Sequence, residues 1–475
     1  MSSLAFQPLY AQAADIFGRR WTYISAVLLF AVGSAICGAA PSMSVFIFGR
    51  VIQGIGGSGL ATLGNLVISD LVPLRQRGAY MALILIAITI GNGMGPFIGG
   101  IIVDTTTWRW VFYINLPLAG LSLLLLVAFL HVGYRKESML KKLGRIDYVG
   151  EAIFISSVSA ILVSLTYAGS THPWSSWRTI LPLVLGFAGL GAFIAYEETP
   201  FCLEPTMPLR LFKNRTTVIA CTLGFLHSLL SVWIIYFLPI YFQSVLGSSP
   251  ARSGVQLLPV ILILIPFAAI SGRLLQRYGR YRPLAVGGLA LMVVGLGLFT
   301  LLKASSSVAA WVLFQAVEAA GTGIALSALL PAAQASLDEA DTARITGTFS
   351  FIRSFGISLA VTIPGAIFNS RFNSLAYRIS DASARAEFID GQAYEHATKS
   401  FISSFPSPIR AQIVGVYADC LKFIWQIAIG ISGFAFLISL FLTEIELRNT
   451  LKTDFGMTKN DQKEKPKEEL TTTQP

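Results

Sequence analysis

Charge is what this chain has least of. Only 13% of its 475 residues are Asp, Glu, Lys or Arg, while 54% are apolar, and the mean hydropathy is +0.66. Soluble domains carry about a quarter charged residues, so a water-soluble globule is excluded. The four cysteines, at 37, 202, 221 and 420, show neither a pairing framework nor metal spacing. Cys37 and Cys221 sit inside apolar runs and read as small hydrophobes. No nucleotide-binding motif accompanies the apolar runs, so ATP is not expected to drive anything directly. No His–Asp pair, metal cluster or serine elbow lies in a membrane-facing loop, which argues against a membrane enzyme and against a metal or other cofactor.

What the chain has instead is apolar runs close to 20 residues long, the length that crosses a hydrocarbon core about 30 Å thick. Twelve full spans are expected, at about 21–40, 44–66, 78–103, 110–132, 146–168, 177–196, 216–242, 252–273, 281–302, 308–332, 341–368 and 419–443. A stub at about 3–17 precedes them. The net charge of +10 is gathered in alternate loops: Arg19–Arg20, Arg75–Arg77, Arg135–Arg145, Arg210–Arg215 and Arg273–Arg282. The opposite loops, such as Ala40–Met43, Asp104–Trp108 and Gly169–Trp177, are nearly free of Lys and Arg. The basic side is therefore cytoplasmic, and the partner is a lipid bilayer, with no nucleic acid. The polar segment 369–418 falls outside and is expected to form helices over the outer mouth. The tail 444–475 is poor in apolar residues and is expected to be a disordered cytoplasmic extension.

Arg50, Asn92, His227 and Glu318 each stand deep in a separate apolar run. At 1.5 Å per residue, Asn92, His227 and Glu318 lie about 14, 11 and 10 residues in, close to the midplane, with Arg50 shallower. Such groups usually face a bundle interior or a wet cavity and mark a solute or proton path. That makes the chain a candidate transporter. Each has a plainer reading as well. The stem of Arg50 can snorkel to the outer interface. His227, Glu318, Gln53, Asn92 and Gln315 can serve as hydrogen-bonded contacts between helices.

Asp15, Gly18, Arg19 and Arg20 form a very tight cytoplasmic turn, and Gly272-Arg273 with Gly279-Arg280 repeats the pattern in a later loop, as internally duplicated transporters do. The turn reads either as a topology anchor or as a gating latch. Gly91, Gly95 and Gly99 recur every fourth residue on one helix face beside Pro96, with Gly100 following. They make a flat, kinked surface for close helix approach.

These residues carry a resemblance to the major facilitator superfamily, and within it to the fourteen-spanner drug:proton antiporters, especially fungal multidrug and toxin efflux pumps. Asp15 to Arg20 is similar to the loop motif after the family's second helix. Gly49-Arg50 with Gln53-Gly54 is similar to its fourth-helix motif, and Gly91 to Gly100 to its fifth-helix antiporter motif. Trp108 to Pro117 and Tyr236 to Gln243 are typical of the branch, and the resemblance covers about 3–443.

It implies an all-α membrane fold of two helical bundles, 1–132 and 216–443, with two extra transmembrane helices in 133–215 and about 13 spans, the first partial. The family's first helix has no counterpart, the stub aligning with the end of its second. Ala11 stands where the loop motif usually begins with Gly, so a looser turn is expected. The implied activity is export of a small amphipathic compound against entering protons, by alternating access in a monomer at the plasma or vacuolar membrane. Asp15, Arg19, Arg20 and Arg50 would serve coupling and gating, with Glu318 as the only acid deep in a full span. Gln53, Asn92, His227 and Gln315 are the candidates for the substrate cavity. A non-transporting remnant, or an importer or sensor of the same fold, are the alternatives.

The orientation places the sequon Asn214-Arg215-Thr216 in the cytoplasm. Endoglycosidase treatment of the chain from a eukaryotic host is expected to leave its gel mobility unchanged. A mobility shift removed by Asn214→Gln would invert the topology.

Overall fold

A computed structural model describes residues 6–72, 106–130, 147–168, 174–199, 209–338, 341–388 and 391–445, with a few isolated positions between them. Its helices are α1 Gln7–Phe17, α2 Arg19–Ala39, α3 Met43–Leu71, α4 Trp110–Tyr113, α5 Asn115–Phe129, α6 Tyr148–Tyr167, α7 Trp177–Glu197 and α8 Arg215–Ile240. They continue with α9 Pro250–Tyr278, α10 Arg282–Phe299, α11 Val308–Gln334, α12 Thr342–Leu375, α13 Ala382–Ala386, α14 Lys399–Ser403 and α15 Ser407–Ser439. Among the described residues, 11 helical segments are long and apolar enough to cross a membrane. They match eleven of the twelve expected spans. The twelfth, 78–103, lies almost wholly outside the described residues.

Helix starts are set by small polar side chains that accept from free backbone N–H groups. Ser42 accepts from Val45, Asp147 from Gly150, Asn214 from Thr216, Ser249 from Arg252 and Ser307 from Ala310. At the outer end of α8, Pro239 lacks an N–H and the coil widens into a π turn over Tyr241–Val245, the usual response to a missing rung.

In lipid the apolar effect does not drive helices together, so close packing over small residues takes its place. A Cβ on Gly33 would overlap the backbone of Gln53, and one on Gly56 the backbone of Phe30, so α2 and α3 touch main chain to main chain. Gly288 and Gly321 do the same between α10 and α11. The helices fall into two groups, α1–α5 and α8–α12 with α15. The α6–α7 hairpin, tied by Ser164 Oγ donating to Thr179 O, docks on α12, where Phe154 and Phe351 meet edge to face at 4.8 Å between centroids.

Two expectations change. Helix α12 runs on to Leu375 and α15 begins at Ser407, so the outer connection shrinks to 376–406. The polar residues that ended the apolar run meet groups from other segments. Arg371 lies 4.9 Å from the Phe423 ring, and Asn369 accepts from Tyr394 N at 3.0 Å. The connection also packs onto the outer ends of α8, α12 and α15 rather than bridging a mouth. Tyr394 lies against Phe237, Phe388 against Phe372, and Tyr417 donates to Ala393 O.

Gly321→Val is expected to cost about 1–3 kcal/mol through overpacking, lowering the thermal midpoint of detergent-solubilised protein followed by size-exclusion. Gly287→Ala, where an added Cβ meets nothing within 4 Å, should leave that midpoint unchanged or slightly raised.

Candidate functional site

Gly18, at φ 86°, turns the chain so sharply that α1 ends and α2 begins on either side of it; a side chain there would be strained. That turn delivers Arg19 into a buried position between three helices. Its Nη1 lies 2.7 Å from Asp15 Oδ1 on α1, its Nε 2.6 Å from Asp70 Oδ2 on α3, and Nη1 also donates to Ala14 O at 2.8 Å. Arg20 points the other way and donates to Val127 O at 2.7 Å, a carbonyl at the C-terminal end of α5 where a cation is favoured. Two adjacent arginines thus tie α1, α2, α3 and α5 at their cytoplasmic ends. Asp70 escaped the sequence reading because an acid at the loop end of a long run is expected by topology alone.

Helix α12 lies along α1 on the far side of a seam. Gln7 Nε2 donates to Ser354 Oγ at 2.9 Å. The amide of Gln334, at the end of α11, donates to Ser69 Oγ at 3.0 Å and Thr346 Oγ1 at 2.8 Å. Arg344, near the start of α12, adds its charge to the Asp15–Arg19–Asp70 cluster. Among the described residues these hydrogen bonds cross the seam near the ends of α3 and α11 and again about 12 residues into α12. The looser turn expected from Ala11 does not occur: its methyl seats over Gly347 of α12. The small residue stands on the partner helix instead.

In the outer half of α3, Arg50 Nη1 donates to Gln53 Oε1 at 2.7 Å, and Gln53 Nε2 donates to Ser34 Oγ at 2.7 Å. Asn115 Nδ2 approaches the same hydroxyl at 3.5 Å, and the guanidinium stands 5.8 Å from the Phe112 ring. Arg50 therefore bends along α3 toward a residue one turn deeper, while the residue itself remains exposed. Gln53, placed by sequence at a cavity, holds this arginine to α2.

The remaining candidates separate. Glu318 is buried on the α10 side of α11, its Cα pressed against Gly295, and accepts from Thr322 Oγ1 at 2.5 Å. His227 of α8 binds Thr322 O through Nε2 at 3.0 Å. Both meet Thr322 of α11, Glu318 through its hydroxyl and His227 through its carbonyl, with no contact between the two side chains among the described residues. Gln315 donates to Gln256 O and Trp311 O, which joins α11 to α9. Gly91 is helical with open space where a Cβ would stand; Asn92, Gly95, Pro96, Gly99 and Gly100 lie outside the described residues. Arg353, about 11 residues into α12, was legible by the depth argument that marked Glu318, yet its short run of polar neighbours hid it. An apolar groove of about 430 Å³ between α1, α2 and α3, lined by Phe6, Tyr10, Phe17, Trp21, Leu29 and Ile55, contains none of the candidates.

The sequence profile described as Major Facilitator Superfamily matches residues 1–361. The chain is 46% identical over 468 residues to the MFS-type transporter gkaD of Penicillium citrinum, covering 98% of this chain and 80% of that protein. It is 43% identical over 460 residues to the efflux pump FUS6 of Gibberella fujikuroi, covering 96% and 83%. Among solved structures, the proton:xylose symporter XylE superposes with a TM-score of 0.52 at 17% identity, covering 94% of this chain and 86% of that one; this likeness concerns the fold alone.

Arg19→Ala would leave two buried carboxylates facing one another without their cation, an expected loss of about 3–5 kcal/mol. Thermal unfolding checks it, and adding Asp70→Asn to the same chain should recover part of the loss. An Arg19→Ala protein as stable as the parent would remove the cluster from the structural account.

Proposed function

The chain belongs to the Major Facilitator Superfamily, and we propose that within it this multi-pass membrane protein is a proton-driven exporter of small amphipathic compounds acting at the plasma membrane. The observation that carries the reading is a seam between the helix groups held by neutral hydrogen bonds, Gln334–Ser69 near the helix ends and Gln7–Ser354 deeper in. Each is worth only about 0.5–1.5 kcal/mol, so the seam can part and re-form as the two helix groups rock. The ion pairs of Arg19 with Asp15 and Asp70 join α1, α2 and α3, with the charge of Arg344 reaching Asp15 from α12. Alternating access requires that combination: rigid groups and a weak seam. We read 1–132 and 216–443 as the rocking bundles, with 133–215 carrying the docked hairpin.

Export rather than import is favoured by the relatives, of which FUS6 is named an efflux pump. In this reading Arg50 supplies the fixed positive charge that competes with a proton for an acid in the path. The relay through Gln53 and Ser34 fixes its guanidinium one turn deeper along α3. Glu318 and His227, both held on Thr322, serve packing of α8, α10 and α11.

Expression in a drug-sensitive yeast is expected to lower the steady-state accumulation of a fluorescent amphipathic dye, and collapsing the proton gradient with an uncoupler should restore it. Arg50→Ala should reduce gradient-dependent extrusion at least about tenfold, as the loss of a charge-assisted contact of about 1.5–3 kcal/mol implies. Unchanged accumulation across a broad compound panel, at confirmed surface expression, sinks the exporter reading.

A further inference from the structure

The residues of α12 sort by contact into distinct faces. Phe349 and Gly356 meet α8: a Cβ on Gly224 would strike the Phe349 ring, and one on Gly356 the carbonyl of Phe225. Gly347 and Ser354 meet α1. Between these faces, at about 100° per residue, lie Thr346, Ser350, Arg353 and Ile357. Thr346 belongs to the seam through Gln334. Arg353 stands about 10 Å above it, seven residues along the helix. One turn higher, Ile357 is 41% exposed. Thr346 and Ser350 are buried in the lower part of this stripe, Arg353 stands level with the Gln7–Ser354 crossing, and Ile357 is exposed one turn above it.

The arginines that form ion pairs among the described residues meet carboxylates: Arg19 has Asp15 and Asp70, Arg210 and Arg344 share Asp341, and Arg378 has Asp419. Arg353 has none among the described residues. Its Nε donates to Ser228 Oγ at 3.2 Å, and that hydroxyl passes on to Gly224 O. The titratable neighbour on α8, His227, turns its Nε2 away to Thr322 O, and Glu318 faces α10. A half-buried guanidinium at membrane depth without an anion is costly. Ser228 fixes one edge of the fork, and the two terminal nitrogens make no hydrogen bond to a described residue.

We propose that Arg353 is the anion-recognition point of the transport cavity and that the exported compounds carry a carboxylate. The carboxylate would sit on the terminal guanidinium nitrogens, the geometry for which a planar fork is suited, with the apolar body extending past Ile357. This deepens the exporter reading and rests on it.

The test uses the full chain in detergent, titrated with dansyl-glycine and with its uncharged amide, and read by energy transfer from tryptophan. The parent should bind the acid at least about tenfold more tightly than the amide. Arg353→Gln should weaken the acid alone and erase the preference, while Arg353→Lys, a point charge without the fork, should keep part of it. A parent that does not prefer the acid, or a folded Arg353→Gln variant that weakens both probes alike, overturns the proposal. Should Arg353→Gln fail to fold, the parent's acid-to-amide ratio and Ser228→Ala, which frees the fork, still decide: the ratio must favour the acid and must fall in Ser228→Ala. Proton-driven uptake of both probes into inverted vesicles separates the two readings. Preferred binding of the acid without movement of either probe retains the anion site and sinks the exporter, whereas gradient-driven movement of both at equal rates does the reverse.

Discussion

Hydrocarbon cannot solvate a polar group, and every feature of this molecule answers to that constraint. The backbone is hidden by helix formation, since each N–H and C=O is satisfied within its own segment. Polar side chains must then find one another across helices. Arg19 with Asp15 and Asp70, Gln53 between Arg50 and Ser34, Gln315 on two carbonyls, and Thr322 with Glu318 are four solutions to the same problem. Arg353 is the exception, partnered by a neutral hydroxyl alone.

The constraint also explains how strength is distributed. Within the helix groups, main-chain approaches over glycine and the paired charges around Arg19 are expensive to break, and neutral hydrogen bonds such as Gln53–Ser34 and Gln315–Gln256 stand beside them. Across the seam the contacts are neutral amide and hydroxyl contacts plus small-residue packing, as where Ala11 meets Gly347. A membrane protein that has to open along one surface and nowhere else needs that contrast. The α6–α7 hairpin, fixed to α12 through Phe154 and Phe351, adds apolar contact to one side of the seam without adding a charge.

Much of the fold was legible because span length and loop charge are properties of single segments. The eleven described spans lie where apolar runs predict them. The errors came where a polar residue interrupts a run that the helix continues through. Arg371 and Asn369 ended the expected span, yet each finds a partner, in Phe423 and Tyr394, that no local pattern reveals. The same limit governs the site. The Asp15–Arg19 pair and the Arg50–Gln53 pair are four and three residues apart and follow from helical spacing. Asp70, Ser34, Gln334 and Ser228 come from elsewhere in the chain, so no spacing rule could supply them.

By itself, the sequence determined that the chain crosses a bilayer many times and that a few ionisable groups are carried to depth, because hydrophobicity and charge act on each segment independently. Only the tertiary structure decided which of those groups share an environment. It set Glu318 and His227 on the hydroxyl and the carbonyl of Thr322, bent Arg50 to Gln53, and left Arg353 on Ser228 with no carboxylate partner among the described residues. Side-chain partnership depends on which helix faces meet, and that follows from packing over small residues dispersed along the whole chain.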